Sequence, residues 1–284
     1  MATDGGKPHM RYIRPRTIEE ATSLLTSVEG PTPLAGGTVL VPELTRQGGE
    51  GLTMIDIGRI EALRTMGRQD GSLHLGATVT LARLASSVEV QTDYSALAQA
   101  AALIGNPNVR RTATVGGNLA FARPLADLPP VLLALDAEVV LSGANGIERR
   151  PIVQMLTEGV PEGYLITAIN VPRIAGQRSG FRKFAWRQSS GKTLVSVAGA
   201  LRLQEGYIVR PRLAIGGLCR RATRLLEAEE ALAGQHWSED LVAEIARLAA
   251  AQAVCDVEGP PSADYRRRLV AAGVRHVLAT IATS

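Results

Sequence analysis

The sequence has little cysteine, and this excludes several classes of protein. Cys219 and Cys255 are the only two cysteines among 284 residues. A disulfide framework needs more cysteines at regular spacings, and a four-thiolate iron–sulfur cluster needs four. We therefore predict that both thiols are reduced and structural. The four histidines lie too far apart along the chain for metal-ligand spacings, so no metal site is predicted.

Aromatic residues are also scarce, at 4% of the chain, and the net charge is only +4. Sites for single-stranded nucleic acid depend on aromatic stacking, so we expect no nucleic-acid partner. The mild basic excess fits an acidic partner protein or a solvated surface. The run Arg266–Arg268 lies on a predicted helix, and we interpret it as a solvated or partner-facing stripe.

Long apolar segments are missing as well. No apolar run approaches the length of a membrane span. Residues 1–10 are polar and lack the apolar segment of a secretory signal, so they are predicted to be a disordered leader. The sequence thus predicts a cytoplasmic protein with no membrane span.

Familiar nucleotide and nucleophile motifs do not occur. There is no Gly-x-Gly-x-x-Gly and no Gly-x-Ser-x-Gly sequence. The run Gly191–Thr193 resembles the end of a phosphate-binding P-loop, but the glycine required five residues earlier is Trp186. No histidine–carboxylate or nucleophile constellation stands out, and no catalytic residue is predicted in this chain.

The order of predicted elements indicates an α+β protein. A first domain is predicted over residues 11–173. A second α+β domain is predicted over residues 178–284, after a glycine-rich polar break. In that domain three strands (180–187, 194–203 and 207–218) precede three helices (221–233, 239–254 and 262–281). Strands and helices in separate blocks are typical of α+β folds.

Two glycine loops are the main candidates for ligand binding. Leu34–Thr38 follows a short apolar strand and precedes a helix start, and Thr114–Asn118 lies within the longer stretch Asn106–Asp127. Glycines let the main chain approach a ligand closely, and consecutive free N–H groups favour phosphate oxygens. A single such loop is more often a plain turn. Two of them suit a ligand with a central pyrophosphate, so the residues alone predict a dinucleotide-like cofactor.

Several segments resemble the FAD-binding (medium) subunit of molybdenum hydroxylases, of the carbon monoxide dehydrogenase and xanthine dehydrogenase type. The main matches are Leu34–Leu40, Ile104–Arg110, Thr114–Ala120 and Ala126–Pro130. Further matches, in the same order along the chain, are Arg14-Pro15, Ile55–Ile57, Leu135–Val140, Phe181–Ala185 and Ser262–Arg267. The resemblance covers nearly the whole sequence.

The resemblance implies a vanillyl-alcohol-oxidase-like (PCMH-type) FAD-binding domain over residues 11–173, with two subdomains at about 11–60 and 61–173. A C-terminal three-stranded sheet with a helical bundle follows it. It also implies the residues that bind the cofactor. On one side of the pyrophosphate these are Leu34, Ala35, Gly36, Gly37, Thr38, Val39 and Leu40, and on the other Thr114, Gly116, Gly117 and Asn118. Ile104 is expected beside the flavin ring, and Asp127 is expected to hold a polar group of FAD. Lys183 is expected near the ring, where a cation stabilises negative charge on reduced flavin.

The function implied is electron transfer. Substrate is oxidised at a molybdenum-pterin centre on a large partner subunit, and electrons pass through two iron–sulfur clusters of a small subunit to FAD. A dimer of heterotrimers is expected.

Relatives often carry a Gly-Asp-Tyr-Ala run after the Lys183 strand, whereas residues 189–194 here are Ser-Ser-Gly-Lys-Thr-Leu, which lack a tyrosine to cover the flavin. Two alternatives are a stand-alone FAD oxidase or dehydrogenase, for which no base is evident, and a flavin-free assembly subunit, against which the intact glycine loops argue.

Overall fold

The computed structural model describes residues 10–121, 126–186 and 191–283. The predicted leader therefore lies outside the described residues except for Met10. Ser189 and Ser190, which belong to the segment compared with the flavin-covering run, also lie outside them.

The N-terminal subdomain is built on a small parallel sheet. It contains β1 (Arg11–Ile13), α1 (Ile18–Ser27), β2 (Pro31–Leu34), α2 (Leu40–Gln47) and β3 (Thr53–Asp56). The sheet has the order β1-β3-β2, with both pairs parallel. The sequence Thr17-Ile18-Glu19-Glu20 predicts a capping box at the start of α1, and the Thr17 hydroxyl accepts a hydrogen bond from the Glu20 N–H at 3.1 Å. The Glu20 carboxylate accepts from the N–H of Arg16, one residue earlier than a standard capping box requires.

The second subdomain is an antiparallel five-stranded sheet covered by short helices. Its strands are β4 (Met66–Gln69), β5 (Ser72–Gly76), β6 (Glu138–Gly143), β7 (Gly146–Pro151) and β8 (Tyr164–Pro172), in the order β4-β5-β8-β6-β7. A 3-10 helix at Glu61–Arg64 leads into β4. The helices are α3 (Leu81–Ser86), α4 (Val88–Asp93), α5 (Ser95–Leu103), α6 (Pro107–Thr112), α7 (Val115–Ala120), α8 (Leu128–Ala134) and α9 (Ile152–Glu158). The sequence Asp70-Gly71 predicts a two-residue type I′ turn, and it joins β4 and β5 with positive φ at both residues.

The C-terminal domain has one more strand than predicted. Its antiparallel sheet contains β9 (Arg178–Ala185), β10 (Thr193–Gln204), β11 (Tyr207–Gly216) and the two-residue β12 (Thr223–Arg224), in the order β12-β11-β10-β9. The helices are α10 (Leu226–Leu232), α11 (Glu239–Gln252) and α12 (Ala263–Thr283). The predicted helix start at residue 221 is wrong, because Thr223 and Arg224 pair with Ile215 and Ala214 of β11. The α+β class is confirmed.

The C-terminal sheet buries both of its faces. On one face, Phe181, Ala198, Ala200 and Ala214 belong to the same apolar core as the residues of the five-stranded subdomain. On the other face, residues such as Val197 pack in a separate cluster with α11 and α12. The Ser95 hydroxyl of α5 also donates to the carbonyl oxygen of Ser179 at 2.6 Å. The two domains are therefore joined by a shared core.

The arginine run on α12 is not a uniformly solvated stripe. Arg266 is only 4% exposed, and its guanidinium donates to the carbonyl oxygens of Leu194 at 2.8 Å and Gly217 at 3.3 Å. The predicted interpretation is wrong for this residue, because the first arginine of the run points into the sheet.

Among the described residues no helix has the length and apolar character needed to cross a membrane.

Candidate cofactor-binding site

A cavity of about 660 Å³ lies between the parallel sheet and the five-stranded subdomain. Its volume falls within the range of small-molecule and cofactor pockets, and its wall is mainly apolar. Twelve of the fourteen residues predicted to bind the cofactor line it: Leu34, Ala35, Gly36, Gly37, Thr38, Val39, Leu40, Ile104, Thr114, Gly116, Gly117 and Asn118. The structure thus brings the two glycine loops together across one cavity.

The first loop, Leu34–Thr38, presents free backbone donors to this cavity. Among the described residues, the N–H groups of Gly36, Gly37 and Thr38 donate to no protein acceptor. Helix α2 follows directly, and its N-cap residue Val39 makes no side-chain capping bond. Free N–H groups at a helix start favour an anion through both hydrogen bonding and the helix dipole. The first loop is therefore suited to a phosphate group.

The glycines of the first loop are required by the backbone. Gly37 has φ of +65°, a conformation that side-chain-bearing residues rarely adopt. A Cβ atom on Gly36 would clash with the carbonyl oxygen of Thr112 at the end of α6. The loop consequently packs directly against the segment that leads into the second loop.

The second loop differs from the prediction. Thr114–Asn118 is not an open turn with free N–H groups but the start of the short helix α7. The Thr114 hydroxyl caps α7 by accepting from the Gly117 N–H at 3.1 Å, and the N–H of Asn118 donates to the Thr114 carbonyl. The N–H groups of Val115 and Gly116 donate to the carbonyl oxygens of Val79 and Ala77, both at 2.9 Å. The expected cradle of free N–H groups is therefore wrong on this side, because helix capping and a backbone contact already use them.

The adjacent glycines of α7 have different roles. A Cβ atom on Gly116 would lie 2.7 Å from the Cβ of Ala77, so this glycine allows α7 to pack against the neighbouring segment. Gly117 is exposed, and a Cβ atom there would meet only the hydroxyl of Thr114, at 2.8 Å. Gly117 is thus the glycine at which the main chain stays open to a ligand.

Asn118 has a buried atom that needs a partner. Its Oδ1 is buried and accepts no hydrogen bond from the described residues, although the residue lines the cavity. A buried polar atom without a partner is unfavourable, and a bound molecule with a hydroxyl or N–H donor removes that penalty. The cavity therefore fits a ligand that carries both an anionic group and hydrogen-bond donors, as FAD does.

Asp127 and Lys183 are the two predicted site residues that do not line the cavity. The Lys183 ammonium lies 2.6 Å from Asp127 Oδ2 and donates to the Leu103 carbonyl at 3.2 Å. The Thr193 hydroxyl donates to Asp127 Oδ1 at 2.9 Å. Burial raises the pKa of Asp127, and the neighbouring Lys183 acts in the opposite direction. Each buried charge is satisfied by the other, and direct contact of Asp127 or Lys183 with the cofactor stays a prediction.

This ion pair nevertheless lies directly behind the cavity wall. Ala126, next to Asp127, and Ile104, next to the Leu103 carbonyl bound by Lys183, both line the cavity. The pair also joins the start of α8 to β9 of the C-terminal domain. It therefore holds this part of the wall in place.

One part of the lining was not anticipated. The segment Val160–Ile166, just before and within β8, contributes Val160, Glu162, Gly163, Tyr164, Leu165 and Ile166 to the wall. Its sequence has the features of an ordinary turn followed by a buried strand. No sequence feature of this segment distinguishes a cavity wall from a buried core strand, because its position in the wall depends on how the two subdomains pack.

Comparison with known proteins shows that each half of the chain matches a described protein family. Residues 8–174 match the family described as "FAD binding domain in molybdopterin dehydrogenase". Residues 181–281 match the family described as "CO dehydrogenase flavoprotein C-terminal domain".

Individual relatives match along nearly their whole length. The glyceraldehyde dehydrogenase medium chain of Sulfolobus acidocaldarius is 30% identical over 267 residues, which cover 93% of this chain and 95% of the relative. The 6-hydroxypseudooxynicotine dehydrogenase complex subunit alpha of Paenarthrobacter nicotinovorans is 31% identical over 281 residues, covering 96% and 94%. A chain in the structure of carbon monoxide dehydrogenase from Hydrogenophaga pseudoflava superposes with a TM-score of 0.90 at 28% identity, covering 98% of both chains.

Proposed function

This chain belongs to the family of FAD-binding medium subunits of molybdenum hydroxylases, and from that premise we propose that it carries electrons from iron–sulfur clusters of a partner subunit to an external acceptor. Bound FAD supplies the redox chemistry, while the chain binds, orients and shields the cofactor. The observation that supports this function best is the cavity, where the two glycine loops meet.

The first loop holds the anionic part of the cofactor in this proposal. Its free N–H groups at Gly36, Gly37 and Thr38 donate to the anionic oxygens of the pyrophosphate. On the opposite side, Gly117 leaves room for close approach, and Asn118 accepts from a hydroxyl or N–H donor of the cofactor. Apolar residues such as Ile104 and Val109 exclude water from the cavity.

Substrate oxidation is assigned to a partner rather than to this chain. Among the described residues, Glu162 and Tyr164 are the only ionisable side chains in the cavity lining, and no histidine accompanies them. Two matched relatives are named as medium chains, which supports a complex of subunits of different size. We assign molybdenum-pterin to a large partner, two iron–sulfur clusters to a small partner, and a dimer of heterotrimers to the assembly. A cytoplasmic location stays a prediction.

The test begins with the full chain produced alone. We expect one FAD per chain by absorbance, and a titration of the apoprotein that saturates with FAD and not with riboflavin, which lacks phosphate. Co-expression with large and small molybdenum hydroxylase subunits is then expected to give a complex in which substrate addition bleaches the flavin absorbance. A chain that never takes up FAD would overturn the proposal. Flavin reduction by a substrate without any partner would favour the stand-alone oxidase or dehydrogenase.

A further inference from the structure

The fold brings together the only two cysteines of the chain. Cys219 lies in the loop after β11, and Cys255 lies between α11 and α12, thirty-six positions later in the sequence. Both thiols are free and half-buried, and both pack on the edge of the apolar cluster between the sheet and the helices. The FAD cavity does not include either residue.

Hydrogen bonds show that the two cysteine-bearing segments are in direct contact. The carbonyl oxygen of Leu218 accepts from the N–H groups of Asp256 at 3.1 Å and Val257 at 3.2 Å. The Cys219 thiol donates to the carbonyl oxygen of Val254 at 2.9 Å. Standard peptide geometry then places the Sγ of Cys219 within about 5.7 Å of the Cα of Cys255. These contacts make the two cysteines neighbours in space, which a disulfide between them requires.

We propose that Cys219 and Cys255 are a peroxide-oxidisable pair that closes into an intramolecular disulfide. A metal site is not favoured, because no group of three or more metal-ligating side chains occurs in the part of the chain that the structure describes. The disulfide would connect the loop after β11 to the link between α11 and α12, and so fix the helical layer to the sheet.

The order of attack follows from the surroundings of Cys219. Its thiol is held as a hydrogen-bond donor, and burial raises its pKa, so it is the slower nucleophile. Cys255 therefore attacks hydrogen peroxide first, becomes a sulfenic acid and releases hydroxide. The Cys219 thiol then attacks that sulfur, the disulfide forms, and water leaves. In total, two thiols and one peroxide give one disulfide and two waters, and two equivalents of a thiol reductant restore the pair.

The experiment uses the purified full chain, wild type and the variants Cys219→Ser and Cys255→Ser, treated with hydrogen peroxide. We expect wild-type thiols, counted after unfolding, to fall from two to zero, with a cross-linked peptide in a non-reducing digest and a higher thermal midpoint. In Cys219→Ser, Cys255 is expected to proceed to sulfinic acid. In Cys255→Ser, the Cys219 thiol is expected to survive the same dose.

Three results would overturn the proposal. The first is a wild-type chain that keeps both thiols, and the second is sulfinic acid on Cys255 without the cross-linked peptide. The third is a cross-link between chains in place of one within a chain. These are measured on the wild type, so they decide the question even if a serine variant folds poorly. Loss of the Cys219 thiol in Cys255→Ser at the wild-type rate would refute the assigned order of attack.

Discussion

The ammonium group of Lys183 lies 2.6 Å from the carboxylate of Asp127, and this contact joins β9 of the C-terminal domain to the start of α8 behind the cofactor cavity. Asp127 is only 2% exposed. Removing one partner of such a pair leaves a buried charge without compensation.

We therefore expect Lys183→Met to lower the free energy of unfolding by about 3–5 kcal/mol, measured by urea denaturation of the apoprotein. Lys192→Met is the matched control. Lys192 is exposed, and its replacement should change stability by less than about 0.5 kcal/mol. Equal effects of the two substitutions would show that the buried pair adds nothing to stability.

The penalty of Lys183→Met should depend on pH in a defined direction. Burial raises the pKa of Asp127 above its ordinary value, and Lys183 opposes that shift. A carboxyl with a raised pKa in the folded state contributes stability at low pH, and the contribution is lost as pH rises through the raised value. Without Lys183 the pKa rises further, so we expect the penalty to grow as the pH rises from acidic to neutral. Urea titrations across this range, for variant and wild type, measure it; a constant or shrinking penalty would contradict the assignment.

The two glycines of α7 should respond differently to substitution. In Gly116→Ala the new Cβ lies 2.7 Å from the Cβ of Ala77, and we expect the apoprotein to lose about 1–3 kcal/mol of stability from overpacking. In Gly117→Val the side chain enters the cavity, and we expect FAD retention to be abolished while most of the fold is kept. Flavin content and thermal denaturation separate the two effects. Wild-type flavin content in Gly117→Val would refute the assignment of this loop.

Asn118→Ala should weaken FAD binding without lowering the stability of the apoprotein. The buried Oδ1 has no partner among the described residues, so its removal relieves an unsatisfied group, whereas the bound cofactor loses a hydrogen bond. We expect about a tenfold increase in the dissociation constant for FAD, by fluorescence titration. Asn108→Ala serves as the control, because the Asn108 side chain is exposed and, within the part of the chain that the structure describes, bonds only to Arg111. An unchanged FAD affinity in Asn118→Ala would remove this residue from the site.

Arg266→Met should destabilise the C-terminal domain more than Arg268→Met. The Arg266 guanidinium bonds the carbonyl oxygens of Leu194 and Gly217, and its loss leaves these acceptors unsatisfied at a penalty of about 1–3 kcal/mol. Arg268 instead lies over the ring of Tyr265, which is 43% exposed. Thermal unfolding of the two variants compares them directly. A larger effect of Arg268→Met would mean that the buried arginine is not the anchor of α12.

Local chemistry made much of the fold predictable. The Thr17 cap, the Asp70-Gly71 turn and the strand before the first glycine loop depend on residues close in sequence, and the structure has all three. The strand β12 was missed because two residues with ordinary composition form it only by pairing with β11. Elements that exist through a distant partner leave no local pattern.

In the candidate site, too, local sequence features were predictable and contacts between distant residues were not. The glycines could be found from the sequence, but the use of their N–H groups could not. Val115 and Gly116 donate to Val79 and Ala77, more than thirty residues away, so only the packed structure shows which donors are free. Similarly, Asp127 and Lys183 could each be matched to a cofactor role, while their contact with each other spans two domains.

The shared core has a consequence for dividing the chain. Phe181, Ala198 and Ala200 complete the core of the cofactor-binding domain, although they belong to the segment that a separate family description covers. A fragment ending near residue 174 would expose this apolar surface, and a fragment beginning there would expose the opposite side of the same contact. The boundary at residue 174 thus divides the sequence into two modules that cannot be exchanged independently. A chimera with another medium subunit must carry both halves, or redesign the face between them.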